Sequence, residues 1–297
     1  MHIQKNLKWA LVLSGGGSKG LAHVGVLKAL TDMGAPPPSL VVGTSMGAIV
    51  GGVYACGMPA PEIEKFVLEE FNINNYMDGF AFKMNGPVGK VFKAGQILGS
   101  LVTKPGIDSG QGFLGVLDRL TGGKSFDETR IPFRCNAVDL SRGTETVFNS
   151  GSVALAVRAS IAYSPFLEPL VLSTHCFADG GLSNNMPVYI ARDAGFKRIL
   201  AVDVTYYKAL TLEELKSSVE IMYRSMETAL KVMQEKTVNE ATLTVHAADD
   251  SNPWEFDKKK ELINLGERAI IDNEKAVTAF FSGGLSAAIT RRKLREV

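Results

Sequence analysis

The stretch Leu40-Val41-Val42-Gly43-Thr44-Ser45-Met46-Gly47-Ala48 limits what this chain can fold into more than any other. A short apolar run stops at a serine, and a run of small residues at helical spacing starts straight after it. Gly43 and Gly47 stand two positions to either side of Ser45, giving G-x-S-x-G. In a sharp strand-to-helix turn the two backbones converge, so side chains at those positions would collide. Such a turn pushes the serine hydroxyl out beyond the sheet in a strained conformation. A second match, Gly16-Gly17-Ser18-Lys19-Gly20, lies behind glycines in a loop rather than at the end of an apolar run. Ser45, not Ser18, is therefore expected as the exposed nucleophile.

The surrounding pattern is that of an α/β protein. Residues 9–14 are a continuous apolar run, suited to a strand covered on both faces. A glycine loop follows, then Leu21, Val24, Leu27 and Leu30 at helical spacing until Gly34 and three prolines stop the helix. The elbow strand comes next. Strand, helix and strand within about forty residues make a βαβ unit with a right-handed crossover. Further along, residues 59–75 predict a helix. The glycine-rich stretch 72–123 reads either as loops and short helices or as a cap over an apolar pocket, with Lys83, Lys90 and Lys93 facing anionic headgroups. Phe113, Leu114, Leu117 and Leu120 form a helical stripe expected to pack in the core. Strands are expected at 131–140, 144–148, 170–177, 197–204 and 241–246, and helices at 152–162, 210–241 and 258–281. The division expected is one hydrolase-sized domain over 1–282 and a basic tail over 283–297, the tail fraying into solvent by default or touching a membrane surface.

Composition removes several classes of function. The chain has 297 residues, with 32 lysines and arginines against 31 acidic residues. That balance argues against a dedicated nucleic-acid binder, which needs a clear basic excess. Cys56, Cys135 and Cys176 lie far apart without metal-type spacing, and read as buried thiols of a reducing compartment. No apolar run approaches the ~20 residues of a membrane span. Lys5 and Lys8 before a short apolar run look like the opening of a signal peptide, but the run flows into glycines and reads as the first strand. The expected setting is the cytoplasm, with peripheral membrane contact left open. Oligomeric state is not written in the sequence.

A serine needs a base within hydrogen-bond reach and donors for the oxyanion. Four histidines are present: His2, His23, His175 and His246. Ser45, Asp203 and His246 would satisfy the chain order of an α/β-hydrolase triad, although that fold places its elbow later than a second strand. Asp179 offers another base. It ends a strand at an Asp-Gly-Gly turn, and there it either serves the turn alone or projects from the same sheet edge as Ser45. Gly15-x-Gly17-x-x-Gly20 also fits a dinucleotide fingerprint, but no carboxylate ends the second strand to hold a ribose. A binding module without turnover is the reading from a different class.

The glycine loop, Gly43-Thr44-Ser45-Met46-Gly47 and Asp179-Gly180-Gly181, in this order, resemble the three signatures of the patatin-like phospholipases, and residues 156–169 resemble the stretch before the aspartate. The likeness runs over about residues 9–204, nearest to small bacterial members related to the neuropathy target esterase catalytic domain. It implies a three-layer α/β/α fold around a central, mostly parallel sheet. It also implies a Ser45–Asp179 dyad and an oxyanion hole at Gly15, Gly16 and Gly17, with Lys19 beside them where many members carry arginine. The activity implied is hydrolysis of phospholipid, lysophospholipid or simpler fatty-acyl esters through an acyl-enzyme, with no metal and no cofactor. With the resemblance added, His23 is expected to support the loop and His246 to be an ordinary strand residue.

Overall fold

The computed structural model describes residues 3–77, 105–164, 166–238, 240–295 and 297. Among these, eight strands make one sheet. At its centre β1 (Ala10–Leu13) lies between β2 (Leu40–Gly43) and β7 (Ile199–Asp203), parallel to both. β3 (Phe133–Asp139) continues the parallel order beyond β2, and β8 (Leu243–His246) continues it beyond β7. The antiparallel part is confined to one side, where β4 (Thr144–Phe148) and β6 (His175–Asp179) both pair with β3, and β5 (Leu170–Leu172) pairs with β6. Every residue of β1, β2 and β7 is buried, which is why these strands read as unbroken apolar runs rather than alternating ones.

The helices are α1 (Ala22–Asp32), α2 (Met46–Ala55), α3 (Ala60–Lys65), α4 (Gln111–Thr121) and α5 (Val153–Ser160). They continue with α6 (Val188–Asp193), α7 (Ser218–Val238), α8 (Lys259–Ile271), α9 (Glu274–Phe281) and α10 (Gly284–Lys293). Side chains of β1 alternate between two cores. Leu11 and Leu13 pack with residues of α1, α2, α5, α8 and α9, while Ala10 and Val12 pack with Met186 and α6. The result is the expected three-layer α/β/α arrangement around a mostly parallel sheet. In the first layer α1 and α8 cross at a glycine pair. A Cβ on Gly25 would strike the Ile263 carbonyl, and one on Gly266 the Ala22 carbonyl.

Several expected elements differ in detail. The strand expected over 170–177 is a hairpin, β5 and β6, turning at Ser173 and Thr174 with Ser173 at φ 56°. No Gly or Asn-Gly marks that turn, so it was hidden from turn chemistry. The helix expected over 210–241 starts only at Ser218, after a short turn closed by a Thr211–Glu214 capping box. The helix over 258–281 is two, parted at Asp272-Asn273. The C-terminal tail does not fray. After α10, Thr244 N–H donates to the Arg295 carbonyl and Val297 N–H to the Thr244 carbonyl, at 2.7 and 2.9 Å. β8 is an edge strand whose outer peptide groups need partners, and the tail supplies them.

Candidate active site

The elbow forms where β2 meets α2. Ser45 sits between them at φ 52°, ψ −121°, a region that costs a non-glycine residue roughly 1–3 kcal/mol. The flanking glycines are required by close approach. A Cβ on Gly43 would strike the Gly47 carbonyl, and one on Gly47 the Leu13 carbonyl. Ser45 N–H donates to the Ser160 hydroxyl at 2.9 Å, tying the elbow to the end of α5.

Asp179 reaches the serine along β3. Val41 N–H donates to the Pro132 carbonyl, and Leu140 N–H to the Cys176 carbonyl. Peptide groups alternate edges along a strand, so β2 and β6 lie on the same edge of β3, one after the other. β2 ends with Gly43 opposite Cys135, and β6 ends with Asp179 opposite Ala137. The chain leaving β2 therefore meets the chain arriving in β6 head-on. Ser45 Oγ donates to Asp179 Oδ2 at 2.7 Å, and Gly181 N–H donates to Oδ1, also at 2.7 Å. Asp179 serves its turn and faces the serine at once. It is 2 % exposed. Burial pushes its pKa up to about 6, against the two hydrogen bonds that favour the carboxylate.

The glycine loop lies beside this pair. Gly15 does not stand ready as a donor, because its N–H is held by the Asn185 backbone carbonyl at 3.1 Å. Asn185 is itself placed to do so, its Nδ2 donating to the Gly15 carbonyl and to Gln234 Oε1 on α7. The N–H groups of Gly16 and Gly17 have no partner among the described residues. Gly17 needs to be glycine, with φ 59° and the Pro253 carbonyl where a Cβ would stand. Ser18 is buried, with its N–H on the Pro253 carbonyl and its hydroxyl on the Asn252 carbonyl. Lys19 lines the cavity, its Nζ donating to the Asp249 carbonyl at 3.1 Å, and burial lowers its pKa.

The histidines are engaged elsewhere. His23 is fully buried, and Nε2 lies 2.8 Å from the Ser14 carbonyl at the root of the glycine loop. Burial lowers its pKa to about 4, so it is neutral and Nε2–H donates. His175 pairs with Asp139 and His246 with Asp203, at 2.7 and 3.4 Å. β8 lies three strand spacings from β2, roughly 14 Å. No histidine lines the cavity among the described residues.

That cavity holds about 440 Å³ and has Ser45 and Asp179 in its wall. Its lining is overwhelmingly apolar, drawn from α2, α3, α4 and the segments around Phe166 and Trp254. Phe113, Leu117 and Leu120 pack in or against the core as expected and also line this cavity. Residues 78–104, where most of the proposed cap and its three lysines fall, lie outside the described residues. Immediately beyond them, buried Arg158 of α5 donates to the carbonyls of Ser109, Gly110 and Glu168. Among the described residues no group of three or more His, Cys, Asp or Glu could hold a metal ion. Ser160 and Gln234 carried no sequence signal of their own. Nothing in the sequence marked Asn185 as a site residue.

A serine on a strained strand-to-helix elbow, a buried carboxylate against its hydroxyl and an apolar cavity above them make the layout of a serine ester hydrolase. The family model for patatin-like phospholipases matches residues 11–192, and the chain belongs to that family. It is 33% identical over 197 residues to mouse patatin-like phospholipase domain-containing protein 6, covering 66% of this chain but 13% of that one. It is 32% identical over 196 residues to lysophospholipase nte1 of Emericella nidulans, covering 65% of this chain and 12% of the relative. This chain thus spans about an eighth of the length of these relatives. The fold is shared with the crystal structure of VipD from Legionella pneumophila, at TM-score 0.52 and 15% identity over 91% of this chain and 66% of that one. Among the described residues no helix is long and apolar enough to cross a membrane.

Proposed function

We propose that the protein hydrolyses fatty-acyl esters of the lysophospholipid and phospholipid class with Ser45 as nucleophile and Asp179 as base. The observation that carries this reading is the 2.7 Å hydrogen bond from the Ser45 hydroxyl to a buried carboxylate. Ser45 Oγ attacks the ester carbonyl carbon as Asp179 Oδ2 takes its proton. The carbonyl oxygen becomes an oxyanion, received by the N–H groups of Gly16 and Gly17 and by that of Met46 at the start of α2. As the ester C–O bond breaks, Asp179 returns the proton to the departing alcohol. Water then attacks the acyl-enzyme, giving a proton to Asp179, and Ser45 recovers it as the fatty acid leaves. A carboxylate lifted to about 6 is a better base than a free aspartate yet still ionised at neutral pH.

The apolar cavity supports an acyl chain as the part of the substrate that is bound, and the fungal relative's name supports a lysophospholipid. A triad through His246 has less support, since the serine hydroxyl already meets Asp179. A dinucleotide module has less still, because the loop's Gly15 and Ser18 N–H groups are occupied by protein carbonyls. The test is a fluorophosphonate probe with a panel of lysophosphatidylcholine, phosphatidylcholine and p-nitrophenyl butyrate. Ser45→Ala should lose both labelling and turnover, and His246→Ala should keep turnover within about twofold. Labelling that survives in Ser45→Ala and vanishes in Ser18→Ala overturns the reading.

A further inference from the structure

Helix α7 carries a cluster of apolar side chains on its outer face. At 100° per residue, Ile221, Met222, Ser225, Ala229, Val232 and Met233 fall within an arc of about 120° that Ser218 and Lys236 also enter. That arc faces solvent, with Ile221 51%, Met222 67%, Val232 49% and Met233 40% exposed. The inward face is mixed, with Leu230 lining the cavity beside polar residues. Gln234 is buried, and Glu227 lines the cavity. A helix packed only for stability would turn such apolar residues inward.

Two features say what covers the outer face. The first is continuity with the cavity. Leu230 of the same helix lines it, and Tyr206 and Trp254 line it while remaining half exposed, at 51% and 40%. Tyrosine and tryptophan rings at an apolar rim match the headgroup level of a lipid surface, where one end is apolar and the other wet. The second is charge. α7 carries three acidic and three basic residues. Arg224 pairs with Glu227 and Lys231 with Glu235, so the helix offers no field to an anionic surface.

We propose that the outer face of α7, with Tyr206 and Trp254 at the cavity mouth, docks the protein on a zwitterionic lipid aggregate, so that an acyl chain passes into the cavity without crossing water. This rests on the reading of the site as an acyl-ester hydrolase. It names the surface from which that site takes its substrate.

The experiment compares the full chain carrying Ser45→Ala with the same chain also carrying Met222→Glu and Met233→Glu, in sedimentation with phosphatidylcholine vesicles. The added pair should lower the bound fraction about tenfold or more. In a chain with Ser45 intact, the pair should cut hydrolysis of micellar lysophosphatidylcholine by a similar factor while p-nitrophenyl butyrate turnover stays within about twofold. Vesicle binding unchanged by the pair overturns the proposal. So does a fall from dimer to monomer mass in the double variant, which assigns the face to a second copy. A drop of melting temperature by more than about 5 °C also overturns it, because the face is then covered by the chain itself. Vesicle binding is read without turnover, so failure of the hydrolase reading registers separately, as wild type that cleaves neither ester.

Discussion

As the proposed base, Asp179 is asked to be buried and ionised at the same time, and these demands oppose each other. Its folded pKa of about 6 stands above the ordinary 3.8 because burial disfavours the charge. Activity should therefore rise with pH along a limb with its midpoint near 6, read as kcat/KM on a soluble ester from pH 4 to 8. Asp179→Asn should lower kcat/KM by roughly 10³-fold or more and remove that limb. The same substitution should stabilise the fold. Between 3.8 and 6 the native state holds a proton that the unfolded chain has lost, so this group's contribution falls as pH rises and is least favourable above 6. The ceiling of the gain at pH 8 is about 3 kcal/mol, read as a shift in urea midpoint, and the gap to wild type should close at pH 4. A loss of stability at pH 8 would show that the hydrogen bonds outweigh the burial.

At the scale of elements, the site depends on how closely backbones approach. The α1–α8 crossing has no room for side chains at Gly25 and Gly266. Gly266→Leu should cost several kcal/mol, on the order of 3 or more, seen as loss of cooperative melting, with Gly115→Ala on α4, where a Cβ has open space, as the control that does not. α7 acts at a distance through Gln234, which donates to the Thr205 hydroxyl and accepts from Asn185, the residue holding Gly15. Gln234→Leu should lower kcat with little change in KM, and Gln234→Glu should restore part of it, since only the acceptor toward Asn185 is kept. Equal changes in KM and kcat would reduce Gln234 to a packing role.

Much of this was legible in the sequence, for physical reasons that differ by element. The β1 and β2 runs and the Gly43–Ser45–Gly47 spacing declare themselves because burial on both faces and backbone collision restrict residue type directly. Asp179 was ambiguous from residues alone, as a turn and a base both favour Asp-Gly, and the structure has it facing both ways. The hold on the Gly15 N–H was hidden because its partner, Asn185, lies 170 residues away. The Ser173 turn and the outward apolar face of α7 were not legible, the first for want of a turn residue and the second because periodicity reports a stripe without saying which way it faces.

For the whole molecule, two buried groups set opposite slopes against pH. His23 has its pKa lowered by burial from 6.5 to about 4, so the unfolded chain binds the extra proton in that window and stability is lost as pH falls through it. Asp179 contributes the reverse change between 3.8 and 6. Wild-type stability should therefore be nearly level from pH 4 to 6.5, while Asp179→Asn should fall by about 3 kcal/mol on acidification. Urea titrations of both chains at pH 4, 5, 6 and 7 measure this, and a level profile in the variant would remove His23 from the account.

Because β2 and β6 abut on one edge of β3, the hydroxyl and the carboxylate take their positions from a single ruler. A slip of β6 by two residues keeps every side chain on its face yet carries the carboxylate about 7 Å away. The cavity wall supplied by α3 and α4 is not part of that ruler. Its side chains can change to suit different lipids while the pair stays in tune.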